Sequence, residues 1–225
     1  MAAIEAVLIA YYSDDPVLYD ILTTGQSIHC YNTAKVFFPH LGLEPHEVKK
    51  KAARERRISK EIGFALFYNA GAGRIKASFE KYGEYPSEAQ CKQMLENFRS
   101  NYGVAYRYAQ GVVRAFERGE VLTNLVGRPL VIENKDDAYM KGFNKLIQSS
   151  ASDLVVMAAD KASRHWEDCK LVALVHDAII AEAGEDYAQE AADILVDAMT
   201  SFGLTTSNGP IILQAEGAIS TEWSK

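Results

Sequence analysis

The chain has 225 residues, 48% of them hydrophobic, with 24 Lys and Arg against 30 Asp and Glu and a net charge of −6. That is enough apolar material for one large or two small domains with a real core, and the negative total excludes a protein that grips nucleic acid through overall charge alone. Cys30, Cys91 and Cys169 are far apart and fit no zinc spacing, no apolar run approaches the ~20 residues of a membrane span, and no targeting segment opens the chain, so reduced thiols in a cytoplasmic protein are expected.

Ala2–Tyr12 is apolar and helix-permissive, closed by Ser13-Asp14-Asp15-Pro16. Val17–Leu22 continues it until Thr23-Thr24-Gly25. Ser27–Phe38 is a second helix candidate with Ser27 as N-cap and Pro39 as its stop. Pro45–Gly71 reads as one long helix, ended by Gly71 and Gly73. Ser87–Asn101 and Val104–Arg118 are further helices, and Val121–Ile132 alternates like a hairpin around Gly127-Arg128-Pro129. Tyr139–Trp166 is a long amphipathic helix. Leu171–Val175 and Ala178–Ala181 read as strands flanking a two-residue His176-Asp177 turn, and Glu185–Phe202 is a final helix. The expected class is mixed α/β: a helical lobe, about 23–120, inserted into a platform built from both ends of the chain.

Within Pro45–Gly71, Arg56, Lys60, Phe64 and Tyr68 recur every fourth residue. A step of four on an α-helix advances about 400°, so the four side chains form one stripe that winds slowly. Cations suit a triphosphate, and aromatic faces suit a sugar and a base. Lys49, Lys50, Lys51, Arg54, Arg56, Arg57 and Lys60 fall within twelve residues with only Glu55 opposing them. A basic helix in an acidic protein is a local field able to focus phosphates; its plainer reading is a solvated helix face.

Four other features carry possible chemistry. A tight turn between two buried strands lifts the Asp177 carboxylate to a stiff tip, which suits Mg²⁺, an ion that takes one or two protein carboxylates and leaves the rest to water and phosphate. The alternative is an Asp that caps its own turn. Asn144 and Gln148, one helical turn apart, offer amide donors to the DNA minor groove, where acceptors recur at every base pair; alternatively they decorate a surface helix. His29 follows Ser27-Ile28 and by itself is more often structural. Glu5 by itself reads as a first-turn charge satisfying a helix dipole.

In this order and spacing the residues resemble the C-terminal half of a family A DNA polymerase, the class of bacterial DNA polymerase I and the T7-like phage enzymes. Arg56-Arg57-Ile58-Ser59-Lys60-Glu61-Ile62-Gly63-Phe64-Ala65-Leu66-Phe67-Tyr68 resembles the nucleotide-binding fingers helix, and Val175-His176-Asp177 the motif carrying the second metal-binding aspartate. Asn144–Ser149 is similar to the segment that touches the primer–template minor groove, with Gly127-Arg128 matching the Gly-Arg before it. Ser27-Ile28-His29 corresponds to a family Asp-Ile-His, and Ile4-Glu5 to the Ile-Glu of the first palm motif.

The resemblance implies a partial palm at 1–22 and 121–225, an antiparallel sheet with helices, carrying fingers at 23–120, without thumb or exonuclease. Arg56, Lys60 and His29 would hold the triphosphate, Lys60 also protonating the pyrophosphate. Phe64 would lie against the sugar, Tyr68 beside the nascent pair, and Glu5 beneath C2′ to exclude ribose. Asp177 would bind two Mg²⁺ ions, with the Met1 carbonyl facing a metal, while Arg128, Asn144, Gln148 and His176 position DNA. The first palm motif opens on an aspartate that, counted back from Glu5, falls immediately before Met1. The expectation is therefore a split polymerase: a second polypeptide supplies thumb, remaining palm and that aspartate, and primer–template DNA and dNTPs are the substrates. A phage replication protein in a bacterial cytoplasm is the expected setting. The alternatives are a polymerase remnant that binds nucleic acid without chemistry, and a related single-subunit RNA polymerase, which Phe64 and Glu5 disfavour. Asn69 replaces a usual Gly after the tyrosine, Ala65 a Gly after the phenylalanine, Ala178 a common Glu after His-Asp, and Met140 a basic residue.

Overall fold

The computed structural model describes residues 3–222. Its centre is α1 (Ile4–Ser13), whose Ile4 and Ala6 to Ala10 are all buried, so this helix is apolar nearly all round and lies inside the molecule. Asp15 then caps α2 (Pro16–Thr23) by accepting from the Val17 and Leu18 amides through Oδ1. Its second oxygen accepts from the Ala105 amide at 3.0 Å, which ties α2 to the start of a later helix and satisfies a buried carboxylate. Ser27 occupies the N-cap position of α3 (Ile28–Tyr31), although its side chain makes no capping bond. The helix expected through Phe38 continues as a π-helical turn over Asn32–Phe37.

The long basic–aromatic helix is two helices. α4 (Pro45–Lys51) ends where Ala52 leaves helical geometry at φ −140°, and α5 (Ala53–Phe67) begins at the next residue. Buried Ala52 packs with Cys30, Ala34 and Val48 in a small satellite core, so tertiary packing overrides a good helix former. A further helix, α6 (Ala72–Glu80), fills the stretch expected to be a stop after Gly71. α7 (Glu88–Asn101) opens with a capping box between Ser87 and Gln90, and α8 (Gly103–Glu117) follows at once. Between these elements Phe37, Phe67, Phe98 and Tyr102, each at most 1% exposed, form an aromatic core. The Phe67 and Phe98 rings lie 4.7 Å apart at 70°, the edge-on geometry that aromatic quadrupoles favour. Gly63 lets α5 and the π-helical turn approach closely: a Cβ there would stand 3.1 Å from Asn32 Nδ2.

Among the described residues the strands form three separate antiparallel pairs. β1 (Leu122–Thr123) with β2 (Pro129–Leu130) closes the hairpin before α9 (Ala138–Ser163), the longest helix. β3 (Cys169–Val175) pairs with β4 (Ala178–Ala183) in a register that sets Val175 against Ala178. The last helix, α10 (Ala188–Thr200), starts after a 3-10 turn at Glu185–Tyr187, and β5 (Gly203–Thr206) with β6 (Gly209–Ile212) adds a hairpin not anticipated from the sequence. One continuous core joins α1, α5, α8 and α9. Among the described residues no helix is long and apolar enough to cross a membrane.

Candidate active site

α5 buries Ile58, Ile62, Leu66 and Phe67 on one face, and this fixes the opposite face as the stripe. Arg56, Phe64 and Tyr68 are half-buried along it and Lys60 is exposed. The Arg56 Nε donates to the sulfur of buried Cys30 at 3.3 Å, which anchors the guanidinium against α3. Among the described residues Lys60 makes no ion pair, so its ammonium is available to an anion. His29 of α3 meets the Phe64 ring edge-on, 5.8 Å between centroids at 88°. Burial, with Arg56 and Lys60 adding repulsion, pushes the His29 imidazole down to about 4. The ring is therefore neutral at pH 7, and its buried Nδ1 finds no hydrogen-bond partner among the described residues.

At the other end of the stripe the Tyr68 hydroxyl donates to Glu5 Oε2 at 3.1 Å. Gln148 of α9 donates from Nε2 to the other oxygen of the same carboxylate. Glu5 is thus a bridge between α5 and α9 rather than a simple first-turn charge. Burial raises the Tyr68 phenol well above its ordinary range and the Glu5 charge raises it further, so it keeps its proton and donates it to Glu5.

The third component is the β3–β4 tip. His176 adopts a left-handed φ of 55°, a conformation sparsely used outside glycine, and Asp177 follows it exposed to solvent. Both lie on a cleft of about 740 Å³ that also gathers Glu5, His29, Lys60, Phe64 and Gln148. Residues from α1, α3, α5, α9 and the hairpin, up to 172 positions apart in the chain, therefore face one space. The rest of its wall includes Val155, Val156 and Leu174, an apolar side beside the acidic tip.

The remaining expected residues stand apart from the cleft lining. Arg128, exposed itself, clamps buried Asp153 of α9 with Nε at 2.9 Å and Nη2 at 2.6 Å. Asn124 donates to the same carboxylate at 2.6 Å, and these partners hold Asp153 below the usual carboxylate range. Part of the Arg128 fork is thereby committed within the protein. Asn144 is half-buried one turn before Gln148 on α9. Met1 lies outside the described residues. Two contributors were not anticipated, Cys30 beneath Arg56 and the apolar wall; nothing local in the sequence marks either, because each is defined by a distant partner. Asn69 stood out in the sequence, and its backbone is left-handed at φ 65°.

Asp177 supplies a hard, exposed carboxylate in a cleft that also holds Lys60 and His29, and Mg²⁺ typically takes one or two protein carboxylates with water and phosphate completing its shell. Among the described residues no group of three His, Cys, Asp or Glu side chains converges. Asp177 thus fits as a single carboxylate ligand, within the one or two that Mg²⁺ takes from a protein.

The chain belongs to DNA polymerase family A: the model of that family matches residues 1–225. Similar proteins include DNA polymerase I of Aquifex aeolicus, 29% identical over 99% of this chain and 38% of that protein. The DNA polymerase of Escherichia phage T5 is 25% identical over 73% of this chain and 22% of its own. Among solved structures, the POL domain of Pol1 from M. smegmatis, in complex with DNA primer-template and dNTP, matches with a TM-score of 0.78 over 93% of this chain and 37% of that chain. At 20% identity this likeness establishes the shared fold. The chain spans 38% of the Aquifex relative's length and less of the phage T5 one.

Proposed function

We propose that this chain is the fingers-and-palm portion of a DNA-directed DNA polymerase, adding deoxynucleotides to a primer 3′ end by phosphoryl transfer. The observation that carries the reading is the shared cleft, which Lys60 and Phe64 of the α5 stripe and His29 of α3 line together with Asp177 and His176 of the hairpin tip. Residues 1–22 and 121–225 are assigned to the palm and 23–120 to the fingers.

In this reading a triphosphate lies along α5. Lys60 and Arg56 neutralise its charge, and Lys60 is placed to hand a proton to the departing pyrophosphate. Neutral His29 adds a hydrogen bond without carrying charge of its own. Phe64 supports the sugar, Tyr68 borders the nascent pair, and Glu5, held by Tyr68 and Gln148, fills the space beneath C2′. Asn144, Gln148, Arg128 and His176 orient primer and template. Phosphoryl transfer asks the protein chiefly for positioning and charge stabilisation, and these groups are of that kind. Asp177 would hold Mg²⁺, which when bound as a pair supplies charge stabilisation to the attacking and leaving oxygens.

The second carboxylate of that pair comes from outside residues 3–222. The apolar wall of Val155, Val156 and Leu174 beside Asp177 suits the side chains of an added strand that carries it. That strand would come from polymerase outside these residues, on the same polypeptide or on a second one that bears the thumb and the remaining palm. The free thiols Cys30, Cys91 and Cys169 suit a reducing cytoplasm. Primer extension with Mg²⁺ and dNTPs tests the reading, using the chain alone, with any co-purifying chain, and with an aspartate-bearing strand joined before Glu5. Extension only with a separate chain supports the split form, extension by the joined form alone replaces it with a continuous enzyme, and full-rate extension by residues 1–225 alone defeats the incomplete-site reading.

A further inference from the structure

α5 ends in a bracket that the roles above do not use. Tyr68 is its C-cap at φ −94° and ψ 33°, and Asn69 follows in the left-handed region at φ 65°. Glycine would satisfy that backbone at no steric cost, and asparagine is among the few other residues that tolerate it. What asparagine adds is a side chain. Asn69 Nδ2 donates to the Tyr139 carbonyl at 2.7 Å, at the first turn of α9, and its Oδ1 accepts from Gln110 Nε2 of α8. The residue itself is 8% exposed, so its side chain is enclosed while its partners keep some access to water.

We propose that Asn69 is a positioning residue: by clamping the end of α5 to α8 and α9 it holds the Tyr68 hydroxyl on Glu5 and so sets how strictly the site separates deoxy- from ribonucleotides. The functional half of this statement rests on the polymerase reading above. Tyr68 is boxed by Glu5 at its hydroxyl and by Phe143 of α9, 6.1 Å between ring centroids. Its backbone is fixed by the next residue. At the opposite end of α5, Arg54 bonds to the Tyr82 carbonyl and to Glu84, which lie between α6 and α7. The C-terminal end is thus joined to α1, α8 and α9 while the N-terminal end is joined to its own lobe, so the bracket at Asn69 acts first on its neighbour Tyr68.

Global 3-fluorotyrosine labelling of the full chain gives one ¹⁹F signal for each of the 12 tyrosines, and Tyr68→Phe assigns the relevant one. Asn69→Gly keeps the turn and deletes both bonds, Gln110→Ala removes one of them with less risk to folding, and Asn69→Asp keeps the turn and the acceptor for Gln110. The Tyr68 signal is expected to shift or broaden in Asn69→Gly and Gln110→Ala, and to be partly restored in Asn69→Asp. In the extension-competent enzyme the ribonucleotide-to-deoxynucleotide ratio of kcat/KM should rise on the order of threefold to tenfold in Asn69→Gly, the factor a neutral hydrogen bond is worth. A Tyr68 signal and sugar ratio unchanged in folded Asn69→Gly and Gln110→Ala, with only stability lowered, would overturn the proposal and leave Asn69 a helix terminator. If no form of the enzyme extends primers, the polymerase reading fails, while the fluorine signal still decides whether Asn69 positions Tyr68.

Discussion

The two halves of the cleft are built differently. The stripe on α5 brings its scaffold with it: Ile58, Ile62, Leu66 and Phe67 bury its back face, and the ring cluster of Phe37, Phe98 and Tyr102 holds them. The β3–β4 tip does not. Leu171, Val172 and Leu174 of its strand are 46%, 59% and 40% exposed, and Asp177 stands at the end of a two-stranded ribbon. An isolated hairpin is marginal by itself, so this ribbon depends on neighbours for its rigidity. A helix can carry a binding site on its own periodicity, whereas a sheet-borne site borrows its geometry from strands elsewhere in the sequence.

That contrast is broken most severely at the tip. Asp177→Ala should lower single-nucleotide incorporation by the extension-competent enzyme on the order of a thousandfold, with primer–template affinity changed little; equal losses in binding and rate would mean that the tip is merely structural. Lys60→Ala should cost on the order of a hundredfold in kcat/KM for dNTP, and Lys60→Arg should recover part of it if charge is the contribution. Phe67→Ala, behind the stripe, should destabilise the fold by about 3–5 kcal/mol in denaturant titration, while an exposed alanine at Val172 should change it little. Glu5→Ala should raise ribonucleotide incorporation on the order of tenfold, and an unchanged ratio would contradict the role given to Glu5.

A separate expectation concerns acid stability. His29 is pushed from its ordinary 6.5 down to about 4, so between those values the unfolded chain binds the extra proton and the folded one does not. Its contribution is complete above pH 6.5, falls away as pH drops toward 4, and changes no further below that. His29→Gln should flatten the fall of the denaturation midpoint over that window. Asp153, held below its ordinary 3.8, and Glu61, held below its ordinary 4.5 by Lys81, begin to act at the acid end of that window, so the His29 share is the difference between the parent and His29→Gln.

How much was legible follows the same division. The stripe, the His176-Asp177 turn and the long α9 are encoded by local period and turn chemistry, and the structure places them where that chemistry indicates. The break at Ala52 was not legible, because alanine favours continuation and only its packing against Cys30 and Val48 decides otherwise. α6 was hidden by Gly71 and Gly73, which read as stops, although Gly71 serves as the N-cap of a new helix. The β5–β6 hairpin is four residues a side, too short for period to announce it. The Arg128 clamp on Asp153 and the bond from Gln148 to Glu5 join residues 25 and 143 positions apart, a separation at which no spacing rule operates.

Titrating Mn²⁺ as a paramagnetic substitute for Mg²⁺, with dNTP present, tests the central claim most directly. The account predicts weak binding to residues 1–225, a marked tightening when an aspartate-bearing strand is supplied, and loss of that tightening in Asp177→Ala. Equal affinity with and without the added aspartate, or tightening that survives Asp177→Ala, would contradict it.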